Sequence, residues 1–479
     1  MEKIINLEPH LIWKYFDEIT SVPRPSKHEE KIIEYLKDFA EKNSLEYRTD
    51  AIGNIVIIKP ASEGYESHPG IILQSHVDMV CEKNEDVEFD FLNEGIKTYI
   101  AGEWVKAYRT TLGADCGIGM AAAMAVLASD IKCGQVEALF TVDEETGLTG
   151  AFELGENMIT GRYLINLDSE DEGEVFIGCA GGIDTIATLA YNTEGVPEGH
   201  IAYRVSVSGL SGGHSGNDIN RGLGNSNKII NRFLWNADKE FGICLSVFNG
   251  GNLRNAIPRE AYAEFTIDAD ADIKTYYERF CNIISEELYG IEENIKIQID
   301  EISVWSVIDY GTQKRLLDSL YAVANGVLSM SHQISDLVET STNLASVKFI
   351  KDNKIEIVTS QRSSSESKKF DAMHQIESAF LLAGAEVRHS DGYPGWKPEP
   401  SSELLKIVKN TYADVFGVPP RIKAIHAGLE CGLFLKKFPS LEMVSIGPTM
   451  TGVHSPDEKL NIPSVAKFWN WLVAILRNI

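Results

Sequence analysis

The sequence predicts an α/β protein: a discontinuous domain with a mostly parallel central sheet, interrupted by an inserted α+β domain of two similar sub-blocks. Three observations lead there. Short apolar strands alternate with helices through the first third of the chain. Alternating strands then dominate a long central stretch, and helix–strand–helix order returns after Pro400. At 479 residues the chain also exceeds what one hydrophobic core supports, so two or more domains are expected.

The opening segment reads as helix because Ile12, Tyr15, Phe16 and Ile19 recur at three- and four-residue steps. A second helix is expected after Ser26. Its hydroxyl would cap the helix, Glu29 would complete a capping box, and Ile32, Ile33, Leu36 and Phe39 form the buried stripe. Strands follow over residues 54–58, 70–74, 138–142 and 163–167, with an alanine-rich helix at 118–127 between the second and third. Beyond Gly181-Gly182 and the loop 192–200, alternating strands appear at 203–207 and 262–267, with helices starting near Asn225 and Ile273. A strand at 354–359, a helix at 370–383 and a strand at 385–388 repeat that outline. The similarity of the sub-blocks rests on the order of elements, not on residue identity. Residues 1–181 and 391–479 are thus assigned to the discontinuous domain and 182–390 to the insert.

Charge narrows the partners. Lys plus Arg is 44 and Asp plus Glu 70, for a net charge of −26, which repels phosphate backbones and anionic lipid heads. Neither nucleic acid nor membrane is expected as a partner, and no stretch approaches the ~20 apolar residues of a membrane span. The first residues show no basic-then-apolar export pattern. The seven cysteines are scattered without a CxxC pair, which fits reduced thiols and a cytoplasmic location. No GxSxG elbow or GxxxxGK[ST] loop points to a serine nucleophile or a phosphate site.

The chemistry gathers at predicted strand ends, where open α/β sheets place ligands. In LQSHVD, His76 and Asp78 alternate onto one face after an apolar strand. That suits an imidazole oriented by a carboxylate, although HxD alone is a weak signal that fits a core histidine with a satisfied partner better. In TLGADCGIG a glycine-rich turn presents Asp115 before a helix, as a ligand or as an N-cap. TVDEETG places Asp143, Glu144 and Glu145 directly after a strand, a repulsive arrangement unless cations neutralise it. INLDSE ends another apolar strand at Asp168, and TGVHSP fixes His454 in a loop. Together, His, Asp, Glu, Asp and His suit two zinc-sized ions.

These runs, with SHVDMVCEKN, LGADCGIGMAAAMA, TVDEETGLTGA, NLDSEDEGEVFIGCAGG, GLSGGHSGNDI, HAGLECG and GVHSPDE, resemble the M20 family of metallopeptidases over essentially the whole chain. Within it they are most similar to dipeptidases acting on aminoacyl-histidine and broader substrates with a free C-terminal carboxylate. The resemblance implies two divalent ions, zinc first and cobalt or manganese as alternatives. Asp115 would bridge them, His76 and Asp168 would complete one site, and Glu145 and His454 the other. It also implies that Asp78 orients His76 and that Glu144 is the general base. His214 in GGHSG is implied as an oxyanion donor; by itself it reads as a surface-loop histidine. Asn255 in RNAIP, Arg362 in SQRS and Gly428 in HAGLECG are implied in substrate binding, with the insert acting as a lid. Where the family usually carries Asn, this chain has Cys116, a thiol placed to act as a soft ligand or an oxidation-sensitive point.

The expected chemistry is attack by a water made acidic between two cations, with Glu144 set too far round its turn to be a good ligand beside Glu145. The alternatives are another M20-type amidohydrolase, such as a deacylase or tripeptidase, and a non-catalytic metal-binding protein. Small peptides are the expected partners, with a homodimer left open. A doubled insert also predicts that His214 serves its own chain.

Overall fold

The structure, a computed structural model, describes residues 3–479. The chain forms two compact units: Met1–Gly178 with Trp396–Ala424 and Leu429–Ile479, and Cys179–Gly395 with Ile425–Gly428. The sequence reading sets the junctions at 181/182 and 390/391. They fall at 178/179 and 395/396 because Gly181–Ala190 is already a strand of the second sheet, and Gly182 and Tyr393 exchange backbone hydrogen bonds.

The first unit is built on an eight-stranded sheet in the order Glu46–Thr49, Ile55–Lys59, Val136–Thr141, Ile71–His76, Tyr163–Asn166, Glu442–Ser445, Glu174–Cys179, Arg421–Ile425. Its centre is parallel: Ile71–His76 pairs in parallel with Val136–Thr141 and Tyr163–Asn166, which pairs in parallel with Glu442–Ser445. The flanking strands Glu46–Thr49 and Ile55–Lys59 run antiparallel because a short turn joins them, whereas parallel neighbours need a crossover. Ile71–His76, Val136–Thr141 and Tyr163–Asn166 are buried throughout, which explains their mainly apolar character, and the polar side chains they carry, such as Gln74 and Glu137, are buried too. The alanine-rich helix Ala114–Leu127 is buried from Cys116 onward, its small side chains allowing close packing against the sheet.

One local expectation fails. The second helix starts at Glu30 without a side-chain cap. Ser26 Oγ donates to Asp78 Oδ2 at 2.7 Å instead, and Glu29 Oε1 accepts from the amides of Lys27 and Asp143. The capping box is given up to a tertiary network.

The main sheet of the second unit is antiparallel and ordered Lys296–Ile302, His200–Ser208, Ala261–Asp268, Cys244–Gly250, Val338–Ile350, Lys354–Ser363, Gly181–Ala190, Glu386–His389, with Gly326–Met330 also paired to Val338–Ile350. Two halves share one βαββαβ order. The first runs His200–Ser208, Ser226–Phe241, Cys244–Gly250, Ala261–Asp268, Ile273–Glu287, Lys296–Ile302. The other runs Gly181–Ala190, Tyr310–Ala322, Val338–Ile350, Lys354–Ser363, Glu366–Leu382, Glu386–His389. They meet where Gly250 pairs with Val347. The first half is nested between the first strand and first helix of the second, so the two do not follow one another along the chain as the sequence reading set them. Helix faces and strands from both halves share one apolar core that includes Phe233, Phe248, Phe265, Leu316, Leu344 and Phe380. No helix among the described residues is long and apolar enough to cross a membrane.

Candidate metal centre

Parallel pairing brings the ligand-bearing strand ends level. His76 stands opposite Thr141, and Gln74, one pleat back, opposite Asn166. A buried polar layer lies beneath: Asn166 Nδ2 donates to Gln74 Oε1 at 2.6 Å, and Gln74 Nε2 to Thr141 Oγ1 at 3.2 Å and Glu430 Oε2 at 2.6 Å. Asp143 then takes a left-handed turn, φ 50°, and the short helix Glu144–Gly147 begins.

Asp115 sits between two imidazoles. His76 Nε2 is 3.0 Å from its Oδ1, and His454 Nε2 is 3.2 Å from its Oδ2. His76 Nε2 also lies 3.4 Å from Asp168 Oδ1, and His454 Nε2 3.0 Å from Glu145 Oε2. The five residues predicted as ligands therefore converge in two groups that share Asp115. Asp78 does more than orient His76, whose Nδ1 is 3.3 Å from its Oδ1. It also accepts the amides of Glu144 and Glu145 at 3.0 and 3.2 Å, fixing the turn that carries both acids.

Glu144 departs from expectation. Its carboxylate is not held apart: ligand atoms of His76, Glu144 and Glu145 lie within 4.8 Å of one another. A single helical turn following a left-handed residue keeps both acids near the imidazole. Cys116 Sγ belongs to a similar group with His76 and Asp168, and it donates to Leu167 O at 3.5 Å. The Asp115–Cys116 peptide is cis.

The electrostatics are those of crowded acids. Burial, and then the like charges of Asp168, Glu430 and Glu145, push Glu144 well above the usual carboxylate range, while His76 pulls the other way. Burial and Asp115 push Asp168 up to about 7. Burial works to lower the His76 pKa, but Asp168, Asp115 and Asp78 hold it well above its ordinary value. Hydrogen bonds to Asp115 and Glu145 push His454 up to about 11. Glu145 Oε1 is buried without a hydrogen-bond partner. Three carboxylates and two imidazoles so placed fit a pair of divalent cations, which would replace protons as the neutralising charge.

The remaining predicted residues belong to the second unit and gather there. Arg362, 6% exposed, donates from Nη1 to Tyr393 Oη at 2.8 Å and from Nε to Ser215 Oγ at 3.4 Å, while Ser215 N donates to Asn255 O at 2.8 Å. A Cβ on Gly428 would meet the Tyr393 ring at 2.8 Å, so glycine is required for that ring to fit. His214 Nδ1 accepts from the amides of Gly216 and Asn217, which leaves Nε2 to carry the proton of a neutral ring. Burial and then Arg362 lower its pKa to about 4, so the ring is neutral at physiological pH.

The matching family profile, Peptidase family M20/M25/M40, spans residues 72–478. The chain belongs to that family. The cytosol non-specific dipeptidase of Escherichia coli strain K12 is 43% identical over 100% of this chain and 99% of the relative. The crystal structure of aminoacylhistidine dipeptidase from Vibrio alginolyticus matches with a TM-score of 0.93 at 43% identity, covering 100% of this chain and 98% of that one. The aminopeptidase PepT of Bacillus cereus shares the fold, with a TM-score of 0.61 at 17% identity over 98% and 99% of the two chains.

Sequence reasoning missed Arg24, Tyr393, His426, Glu430 and Glu458 as functional candidates. His426, Glu430 and Glu458 fall within runs that carried the resemblance, but nothing local marks their burial. His426 is 6% exposed, with Nε2 2.7 Å from Ser341 Oγ.

Proposed function

We propose that this M20 peptidase is a dipeptidase that hydrolyses Xaa-His and broader dipeptides with a free C-terminal carboxylate, using two divalent ions, zinc first among them. The observation that carries the reading is the placement of Asp115, with one oxygen toward His76 and the other toward His454. His76 and Asp168 would hold one ion and Glu145 and His454 the other, with Asp115 between them. When bound, the ions supply Lewis acidity that polarises the scissile carbonyl and acidifies a water.

Glu144 takes the proton from that water and returns it to the leaving amine. The environment that raises its pKa favours holding the proton between those steps. Asp78 keeps Glu144 and Glu145 in place through their amides and His76 through Nδ1. The second unit, the lid of the sequence reading, is assigned substrate recognition. Arg362 binds the free carboxylate, because a guanidinium fork matches it in charge and shape. Asn255 and Gly428 line the same subsite, and His214 donates from Nε2 to the developing oxyanion. The full-length likeness to two dipeptidases supports the substrate class, and the name of the Escherichia coli relative supports a cytoplasmic location.

The test is a panel of free and N-blocked dipeptides assayed with zinc, cobalt and manganese. Cleavage of free dipeptides alone is expected. Preference for N-acylated amino acids would make the chain a deacylase.

A further inference from the structure

Glu458 follows His454 by four residues and turns back to the loop that carries Asp115. Leu112 N and Gly113 N donate to its Oε2 at 2.7 and 3.0 Å, and Ala114 N and Asp115 N to its Oε1 at 2.8 and 3.4 Å. Four successive amides converging on one carboxylate form an anion nest, and the side chain is only 2% exposed. Gly113, with φ 67°, makes the turn that aims them.

The other side of the loop is held by Arg24, 1% exposed. Its guanidinium donates to Gly113 O, and to Val77 O at 2.9 Å and Asp78 O at 2.7 Å in the turn after His76. A Cβ on Gly113 would lie 2.6 Å from Arg24 Nη2, a second reason for glycine there. One buried carboxylate and one buried guanidinium thus join the three segments bearing His76, Asp115 and His454. These contacts are to main chain, which leaves the Asp115 carboxylate facing the two imidazoles.

We propose that Glu458, backed by Arg24, is a positioning residue of the metal centre, setting the Asp115 backbone in register with the His454 loop so that both ions are held at once. This rests on the assignment of Asp115 and His454 as metal ligands. Glutamine at this position keeps the shape but has one acceptor oxygen, and its NH2 would face two amide donors. Two of the four contacts are lost and one end of the loop is released.

Glu458→Gln and Glu458→Asp are prepared metal-free and titrated with cobalt(II), following the d–d absorption. Zinc affinity is measured by chelator competition, and the thermal midpoint of each metal-free form is recorded. Glu458→Gln is expected to bind both ions about 10–100-fold more weakly with an altered cobalt spectrum, and Glu458→Asp to fall between it and wild type. If the wild type binds two ions and both variants match its affinity and spectrum, Glu458 is only a structural support and the proposal is overturned, even where the metal-free midpoint drops. Should the glutamine variant not fold, the aspartate variant decides by the same comparison. A wild type that takes up fewer than two ions overturns the ligand assignment itself, and this proposal with it.

Discussion

Glu430 offers a measurable consequence of packing acids beneath the metal centre. It is 2% exposed, its Oε2 accepts from Gln74 Nε2 at 2.6 Å and Thr141 Oγ1 at 3.0 Å, and its Oε1 has no hydrogen-bond partner. Burial is the main cause that pushes its pKa from 4.5 up to about 7, helped by Asp168 and opposed by His76. The folded state therefore holds the proton more tightly than the unfolded chain. Its stabilisation is full below pH ~4.5 and is lost as pH rises through about 7. Over that window one proton contributes about 1.4 kcal/mol per pH unit, or roughly 3 kcal/mol in total. Glu430→Gln removes the titration while its amide oxygen still accepts from Gln74 and Thr141. With chelator present, thermal midpoints of wild type and variant should diverge between pH 4.5 and 7.5, the wild type falling relative to the variant. At about 2 °C per kcal/mol for a unit of this size, the gap should widen by roughly 6 °C. Parallel curves would refute the account of Glu430 as an acid protonated by burial.

Chelation should abolish activity and lower the melting temperature, and zinc should restore both; full activity in a metal-free sample would end the dinuclear reading. Arg362→Ala should erase most of the preference for a dipeptide over its C-terminal amide, a loss of about ten- to 150-fold, measured as kcat/KM on the matched pair. On the proposal that His214 serves its own chain, mixing His214→Ala with Glu144→Gln under subunit exchange should recover no activity. Recovery approaching a quarter of wild type would assign it to a neighbouring subunit instead.

Features generated by short-range pattern were legible in the sequence. The strands ending at His76, Thr141 and Asn166 are buried on both faces, so they read as mainly apolar runs and the polar residues at and just beyond their ends stood out. Features that depend on distant partners were not. Ser26 and Glu29 have the spacing of a capping box, yet their partners Asp78 and Asp143 lie 52 and 114 residues away. Arg24, Glu430 and Glu458 look like surface charges until the loops that bury them are assembled. Val338–Ile350 escaped notice because its buried Thr340, Ser341, Thr342 and Asn343 break the apolar alternation. Without that strand, the nesting of one βαββαβ half inside the other could not be read.

The most direct test of the proposed mechanism is Glu144→Gln, with metal content and turnover measured on one preparation. Glu145 and His454 retain their 3.0 Å contact and Asp115 its two imidazoles, so the variant should keep two ions per chain. Without a carboxylate to accept the water's proton, turnover on a free dipeptide should fall by several orders of magnitude. Near-normal turnover with both ions bound would contradict the assignment of Glu144 as the general base.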